Sequence, residues 1–215
     1  MQFPQHSKPE RIADGIVHLI GITGGLGASM ALAMMAASQS EPIYLASLGL
    51  YAFGLLAMLI CSALYNISDN SWRKSLFQRL DHAAIFLMIA GTYTPFVLIA
   101  IGGKLGTGLL IFVWSVAGLG IVLKLICPMR WEGLSIAAYL LLGWTIVIAI
   151  DPLLASLSVS GIILLVAGGI LYSLGVIFHK WSDLPYQNAI WHVFVLAAAT
   201  CHFIAVLTDV AIAMP

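Results

Sequence analysis

The sequence predicts an all-α protein, an integral membrane bundle of seven transmembrane helices. Three observations predict it. The 215-residue chain is 61% hydrophobic and only 8% charged. Its mean hydropathy is +1.04. Its apolar residues fall in seven long runs, and its charges fall mostly in short connectors between them. A soluble domain carries about 25% charged residues, so charges this sparse cannot cover a water-facing surface, and lipid must solvate most of the exterior. The formal net charge of zero argues against nucleic acid as a partner.

A membrane-crossing helix needs about 20 mostly apolar residues. The first run, Gly15–Ala37, contains His18 and is followed by six others, so it is expected to stay as a helix rather than act as a removable leader. Ile43–Leu64 is the second. The third, His82–Ile101, contains Pro95, which removes a backbone donor and frees the Gly91 carbonyl. A kink is expected there, with Thr92 and Thr94 helping to satisfy the opened backbone and the segment shaping a cavity wall. Gly106–Leu123 is the fourth. The fifth, Leu134–Ile150, is the shortest and has room to extend toward Trp131, and Asp151 before Pro152 reads as a helix cap. Leu157–Phe178 and Ile190–Ala213 complete the set. No linker or internal repeat divides the chain, so residues 1–215 are expected to form a single domain.

Small residues inside the runs read as helix-packing positions: Gly24, Gly25, Gly118, Gly120, Gly143, Gly168, Gly169 and Gly175. Trp114, Trp144 and Trp181 read as interface anchors or core filler. Cys61, Cys127 and Cys201 form no CxxC pair and read as apolar packing. Orientation follows from the basic residues. Lys8, Arg11, Arg73, Lys74, Arg79, Lys124, Arg130 and Lys180 fall on the side of the N-terminus, and only Lys104 on the other. Positive charge stays inside, so the N-terminus is expected in the cytoplasm and the C-terminus outside. The Ser68–Leu80 connector, with Asp69, Arg73, Lys74 and Arg79, reads as a basic amphipathic stretch on anionic headgroups.

Polar side chains are costly in a bilayer and usually face a bundle interior. Glu10, Asp14 and His18 open helix one, and Ser62 and Asn66 close helix two. Asp81 and His82 open helix three, while Asn188 and His192 open helix seven. Topology brings these to one depth on one membrane face, and the spacing of four residues puts Ser62 with Asn66, Asn188 with His192, and Glu10, Asp14 and His18 on shared helix faces. The expected polar pocket is His18, Ser62, Asn66, Asp81, Asn188 and His192. Asp81 can also be read as a helix N-cap, His82 as an interhelical hydrogen-bond partner, and His202 as a deeper, separate contact about 15 Å beyond His192.

The stretches Ser62–Asn66, Leu80-Asp81-His82, Ala90–Phe96, Tyr172–Gly175, Ala189–His192 and His202-Phe203 resemble hemolysin III proteins in order and spacing. These are bacterial relatives of the progestin and adiponectin receptor family. The resemblance implies a seven-helix bundle of the bacterial inner membrane with zinc near the cytoplasmic face. The metal is held there by a histidine ending helix two and an HxxxH pair on helix seven, accompanied by a serine and an aspartate matching Ser62 and Asp81. Asn66 and Asn188 stand at two of the three ligand positions, and only His192 remains. An amide is a poor donor to zinc, so tight zinc binding is not expected. A metal-free network of Asn66, Asn188, Asp81 and His192 is expected instead.

The leading expectation is a non-catalytic protein that binds a lipid or small molecule and serves membrane or lipid homeostasis. The alternatives are a zinc-dependent lipid amide or ester hydrolase, with Ser62 and Asp81 catalytic and His192 a metal ligand, and a pore-forming or proton-coupled permeability protein. The sequence is silent on oligomeric state.

Overall fold

The computed structural model describes residues 7–39, 41–127 and 132–212. Seven helices in it are long and apolar enough to cross a membrane: α1 (Lys8–Ala37), α2 (Pro42–Ile67), α3 (Ser71–Ile101), α4 (Gly103–Ile126), α5 (Glu132–Ser156), α6 (Val159–Lys180) and α7 (Gln187–Ala211). No strand occurs among the described residues. The expected Trp131 extension, Arg130 and Ala213 lie outside them.

Apolar side chains such as Leu19, Leu141 and Val159 point outward, 67%, 74% and 78% exposed. Such a surface suits lipid rather than water. Helix α1 packs against both α2 and α7, α3 lies between α2 and α4, and α6 pairs with α7, which closes the bundle; α5 fills the gap beside α3 and α6. The alternation of helices puts Lys8, Arg11, Arg73, Lys74, Arg79, Lys124 and Lys180 at the end that holds the N-terminus, and Lys104 at the other. Arg11 pairs with Asp69 at 2.9 Å and Lys180 with Glu132 at 2.6 Å at that end.

The largest departure from expectation is the start of α3. The stretch expected as a surface connector is its opening turns, because Asn70 caps the helix and accepts from the backbone N–H groups of Trp72 and Arg73. Asp81 is therefore not an N-cap. It lies ten residues into α3, about 15 Å along the axis. Asp151 is likewise not at the cap position, which Ala149 occupies, but in the first turn of the last segment of α5, where a carboxylate favours the helix dipole.

Three helices change pitch. After Pro95, α3 widens into a π-helical turn over Phe96–Ile101 and stops at Gly102 and Gly103, both with positive φ that glycine alone adopts freely. Thr92 and Thr94 donate to the carbonyls of Met88 and Ala90, both at 2.8 Å, and Trp114 donates to Thr94 Oγ1 at 3.1 Å. Helix α5 tightens into a 3-10 segment over Thr145–Ala149. Tyr93 on α3 holds that segment: its hydroxyl accepts from Ile146 N at 2.6 Å and donates to the carbonyls of Leu142 and Gly143 at 2.8 and 2.9 Å. The third change is a π-helical end on α7, Leu207–Ala211, where Asp209 accepts from Ser158 N and ties the start of α6 to the end of α7.

The glycines divide. A Cβ on Gly25 would meet Leu59, and one on Gly120, Gly168 or Gly175 would meet Phe86, His202 or Trp191, so these positions do let helices approach. Gly24, Gly118 and Gly143 face open space and carry no packing role of this kind. Backbones approach closely between α3 and α4, where a Cβ on Gly106 would run into the Val97 carbonyl oxygen, and between α2 and α3, where one on Gly91 would come within 2.9 Å of the Leu50 carbonyl oxygen.

Candidate functional site

At the end of the bundle that holds the N-terminus, three pairs of side chains spaced four residues apart face one another: Asp14 with His18 on α1, Ser62 with Asn66 on α2, and Asn188 with His192 on α7. Asp14, only 5% exposed, is the hub. Its Oδ1 accepts from His192 Nδ1 at 2.6 Å and its Oδ2 from Asn188 Nδ2 at 3.1 Å. His18 Nε2 stands 3.4 Å from the same Oδ2, and the two imidazole rings lie 4.4 Å apart. The other His192 nitrogen, Nε2, is 3.2 Å from Ser62 Oγ. With Nδ1 donating to the carboxylate, a neutral ring presents Nε2 as acceptor, and the Ser62 hydroxyl donates to it. Asn188 Nδ2 also donates to Asn66 Oδ1 at 2.8 Å, and Asn66 Nδ2 to the Ser62 carbonyl at 2.9 Å.

His18, Ser62 and His192 border an interior cavity together with Asp81, which is also the Ser62 hydroxyl's neighbour on α3. From this polar end the cavity passes between apolar walls that include Met58, Ile89, Val195 and Leu196, and reaches Tyr172 and His202. Trp144 on α5 donates to Ser173 on α6 at 3.1 Å along its flank. Thr92 and Tyr93 line it, as expected of a cavity wall. On the opposite side of the network, Asp14, His18, Asn66 and Asn188 border a vestibule with Glu10, Arg11 and Tyr186. Glu10 itself accepts from Tyr186 N at 2.9 Å and anchors the turn before α7.

The network differs in membership from the one the sequence suggested. Asn66 and Asn188 bond each other, and His192 bonds Ser62 and Asp14; Asp81 stands on the cavity side and is not bonded to the asparagines. Asp14 was missing from the expected pocket. Its signal was the spacing of four residues from His18, together with the cost of a carboxylate inside an apolar run. His82 accepts an interhelical bond from Tyr139 at 2.9 Å, but through its backbone carbonyl, while its Nδ1 is buried without a hydrogen-bond partner. His202 forms the separate, deeper contact, 3.2 Å from the Leu165 carbonyl.

Zinc can be tested against these residues. Asn66, Asn188 and His192, at the positions implied by the resemblance, do not fit it: the two amides are committed to hydrogen bonds and are poor zinc donors. Asp14, His18 and His192 are a chemically suitable set and could hold a metal, with ligand atoms all within 4.8 Å of one another. Their closest pair, however, has hydrogen-bond spacing. Donors at 2.0–2.1 Å from one tetrahedral zinc would stand roughly 3.3 Å apart, so Asp14 and His192 would have to separate to share an ion.

A seven-helix, multi-pass membrane protein with a buried polar cluster capping an apolar cavity is the class that fold and site define. The chain belongs to the haemolysin-III related family, which it matches over residues 7–203. It is 41% identical over 198 residues to the hemolysin-3 homolog of Bacillus subtilis, covering 92% of this chain and 93% of that one. It is 39% identical over 198 residues to hemolysin-3 of Bacillus cereus, covering 92% and 90%. It is also 30% identical over 166 residues to human monocyte to macrophage differentiation factor, covering 73% and 67%. With these bacterial relatives and seven apolar helices, it is a multi-pass bacterial membrane protein.

Proposed function

We propose that this protein binds a single-chain amphiphile in its interior cavity and serves membrane or lipid homeostasis from the inner leaflet. The observation that carries the reading is a polar cluster of Ser62, Asp81 and His192 at one end of a cavity with otherwise mostly apolar walls. A headgroup would meet these side chains and the chain would run toward His202, a distance of about 15 Å along α7. The basic bias at the N-terminal end supports a cytoplasmic location for the cluster. The Asp14, His192, Asn188 and Asn66 bonds tie the ends of α1, α2 and α7 to one another.

Mass spectrometry of detergent-purified protein tests this. Wild type should carry a copurifying single-chain lipid, and Val195→Trp, which fills the cavity, should lose it while keeping its fold. Equal lipid content in both would remove the reading.

A second reading, a metal-dependent lipid hydrolase, is favoured by the Asp14, His18 and His192 trio. Metal analysis separates the two. Stoichiometric zinc that disappears in His192→Ala would support the hydrolase.

A further inference from the structure

We propose that Lys124, with His82 and His179, binds the phosphate of a single-chain lipid phosphomonoester inside the cavity. This rests on the cavity being the amphiphile site and names the headgroup it takes. It uses the α3, α4 and α6 side of the cavity, not the hydrogen-bonded cluster of α1, α2 and α7.

Lys124 lies in the last turn of α4. A lysine near the end of a membrane helix usually extends its ammonium out to the headgroups. This one is 4% exposed, and it is the only buried Lys or Arg among the described residues. It borders the cavity and makes no hydrogen bond or ion pair among those residues. A buried cation without a counter-charge is costly. Glu132 borders the same space, but Lys180 holds it at 2.6 Å, and it also lies 3.8 Å from His179 Nε2. His82 on α3 and His179 on α6 continue this wall, and the Nδ1 of each is buried without a hydrogen-bond partner. Buried polar groups are nearly always paired. Three side chains able to donate, from three helices, therefore gather here with unmet capacity.

That combination, set among mostly apolar walls, selects an anion carried on an apolar chain. A phosphomonoester offers three acceptor oxygens and nearly two negative charges, whereas a carboxylate offers two oxygens and one charge. The ammonium meets phosphate as a point charge, and imidazole N–H groups can serve its other oxygens. Asp81 and His82 follow one another on α3 and both border the cavity, about 100° apart around the helix. A hydroxyl beside the phosphate would meet Ser62 and Asp81, and the phosphate itself would meet His82 and Lys124. The acyl chain keeps its path toward His202.

The test titrates the full chain in detergent with monooleoyl glycerol phosphate, monooleoyl glycerol, oleate and inorganic phosphate, and reads each affinity by native mass spectrometry. Wild type should bind the phosphate lipid at least about 10-fold more tightly than monooleoyl glycerol. Lys124→Gln should lose that preference, so that the two lipids bind alike, with folding checked by thermal melting. Lys124→Arg should keep most of it, and Arg73→Gln, which removes an exposed cation at the same end of the bundle, should keep all of it. A preference that survives in Lys124→Gln overturns the site. Oleate bound as tightly as the phosphate lipid overturns the choice of phosphate. Inorganic phosphate bound equally tightly makes the occupant a free ion and overturns the lipid. Wild type that binds the two glycerol lipids alike also sinks the phosphate site while leaving amphiphile binding intact. Binding of neither lipid, together with failed copurification, would instead strike the amphiphile reading.

Discussion

Asp14 and His192 are 178 residues apart in the chain, yet their Oδ1 and Nδ1 atoms meet at 2.6 Å across the boundary between α1 and α7. The contact joins the first helix to the last and closes the bundle at one end. It also makes a single carboxylate responsible for the order of both Asn188 and His192. Asp14→Ala removes the acceptor of His192 Nδ1 and one of the two acceptors of Asn188 Nδ2, which keeps Asn66, at a cost of about 1–3 kcal/mol. The melting temperature in detergent should fall clearly, and Asp14→Asn, which keeps one acceptor oxygen, should lose less. A wild-type melting curve for Asp14→Ala would contradict the buried contact.

Replacing both amides tests the zinc argument from the other direction. Asn66→His with Asn188→His would supply two further imidazoles beside His192, a donor set that suits zinc. The double variant should copurify with about one zinc per chain, measured by plasma emission, and the parent should carry far less. An unchanged metal content would mean that the amides are not what sets metal affinity.

Tyr93→Phe removes the hydroxyl that serves Ile146, Leu142 and Gly143. The 3-10 segment of α5 would lose its only tyrosine tether to α3 among the described residues. Amide exchange over residues 145–149 should accelerate, with a global loss of about 1–3 kcal/mol from the unsatisfied backbone groups. Exchange that stays at the parental rate would show that the segment holds itself.

Two glycines make a matched comparison. A Cβ at Gly91 would press within 2.9 Å of the Leu50 carbonyl oxygen, a backbone atom that cannot swing away, whereas a Cβ at Gly24 meets nothing within 4 Å. Gly91→Ala should destabilise by about 1–3 kcal/mol, and Gly24→Ala should be neutral or stabilise by roughly 0.5–1 kcal/mol through lower backbone entropy in the unfolded chain. Thermal melts of the two variants in the same detergent decide it.

The seven helices were legible because lipid imposes a length and an apolar composition on anything that crosses it. Their ends were less so. The opening turns of α3 are charged, and hydropathy therefore read them as connector; the Asn70 cap was the local signal that a helix had already begun. The site was legible in part, since His18, Ser62, Asn66, Asn188 and His192 all stand out as polar groups in apolar runs. Asp14 was visible by the same rule and by its distance of four residues from His18, but the helix-one carboxylate has no counterpart in the ligand set implied by the resemblance. Asp81 shows the opposite limit. Sequence gave its residue type and rough depth, but not that α3 turns it toward the cavity, away from the asparagine pair. The pitch of α5 had no sequence signal at all, because it depends on a tyrosine contributed by another helix.

The polar layer lies between the cavity and the vestibule, and His18 borders both spaces. It thus works as a septum as well as a site. Trimming it would open a wet passage reaching well into the bilayer, and ion leak in cells making such variants should scale with the volume of side chain removed, whatever its chemistry. Tolerance for change at this layer is then limited by the host's need to stay sealed.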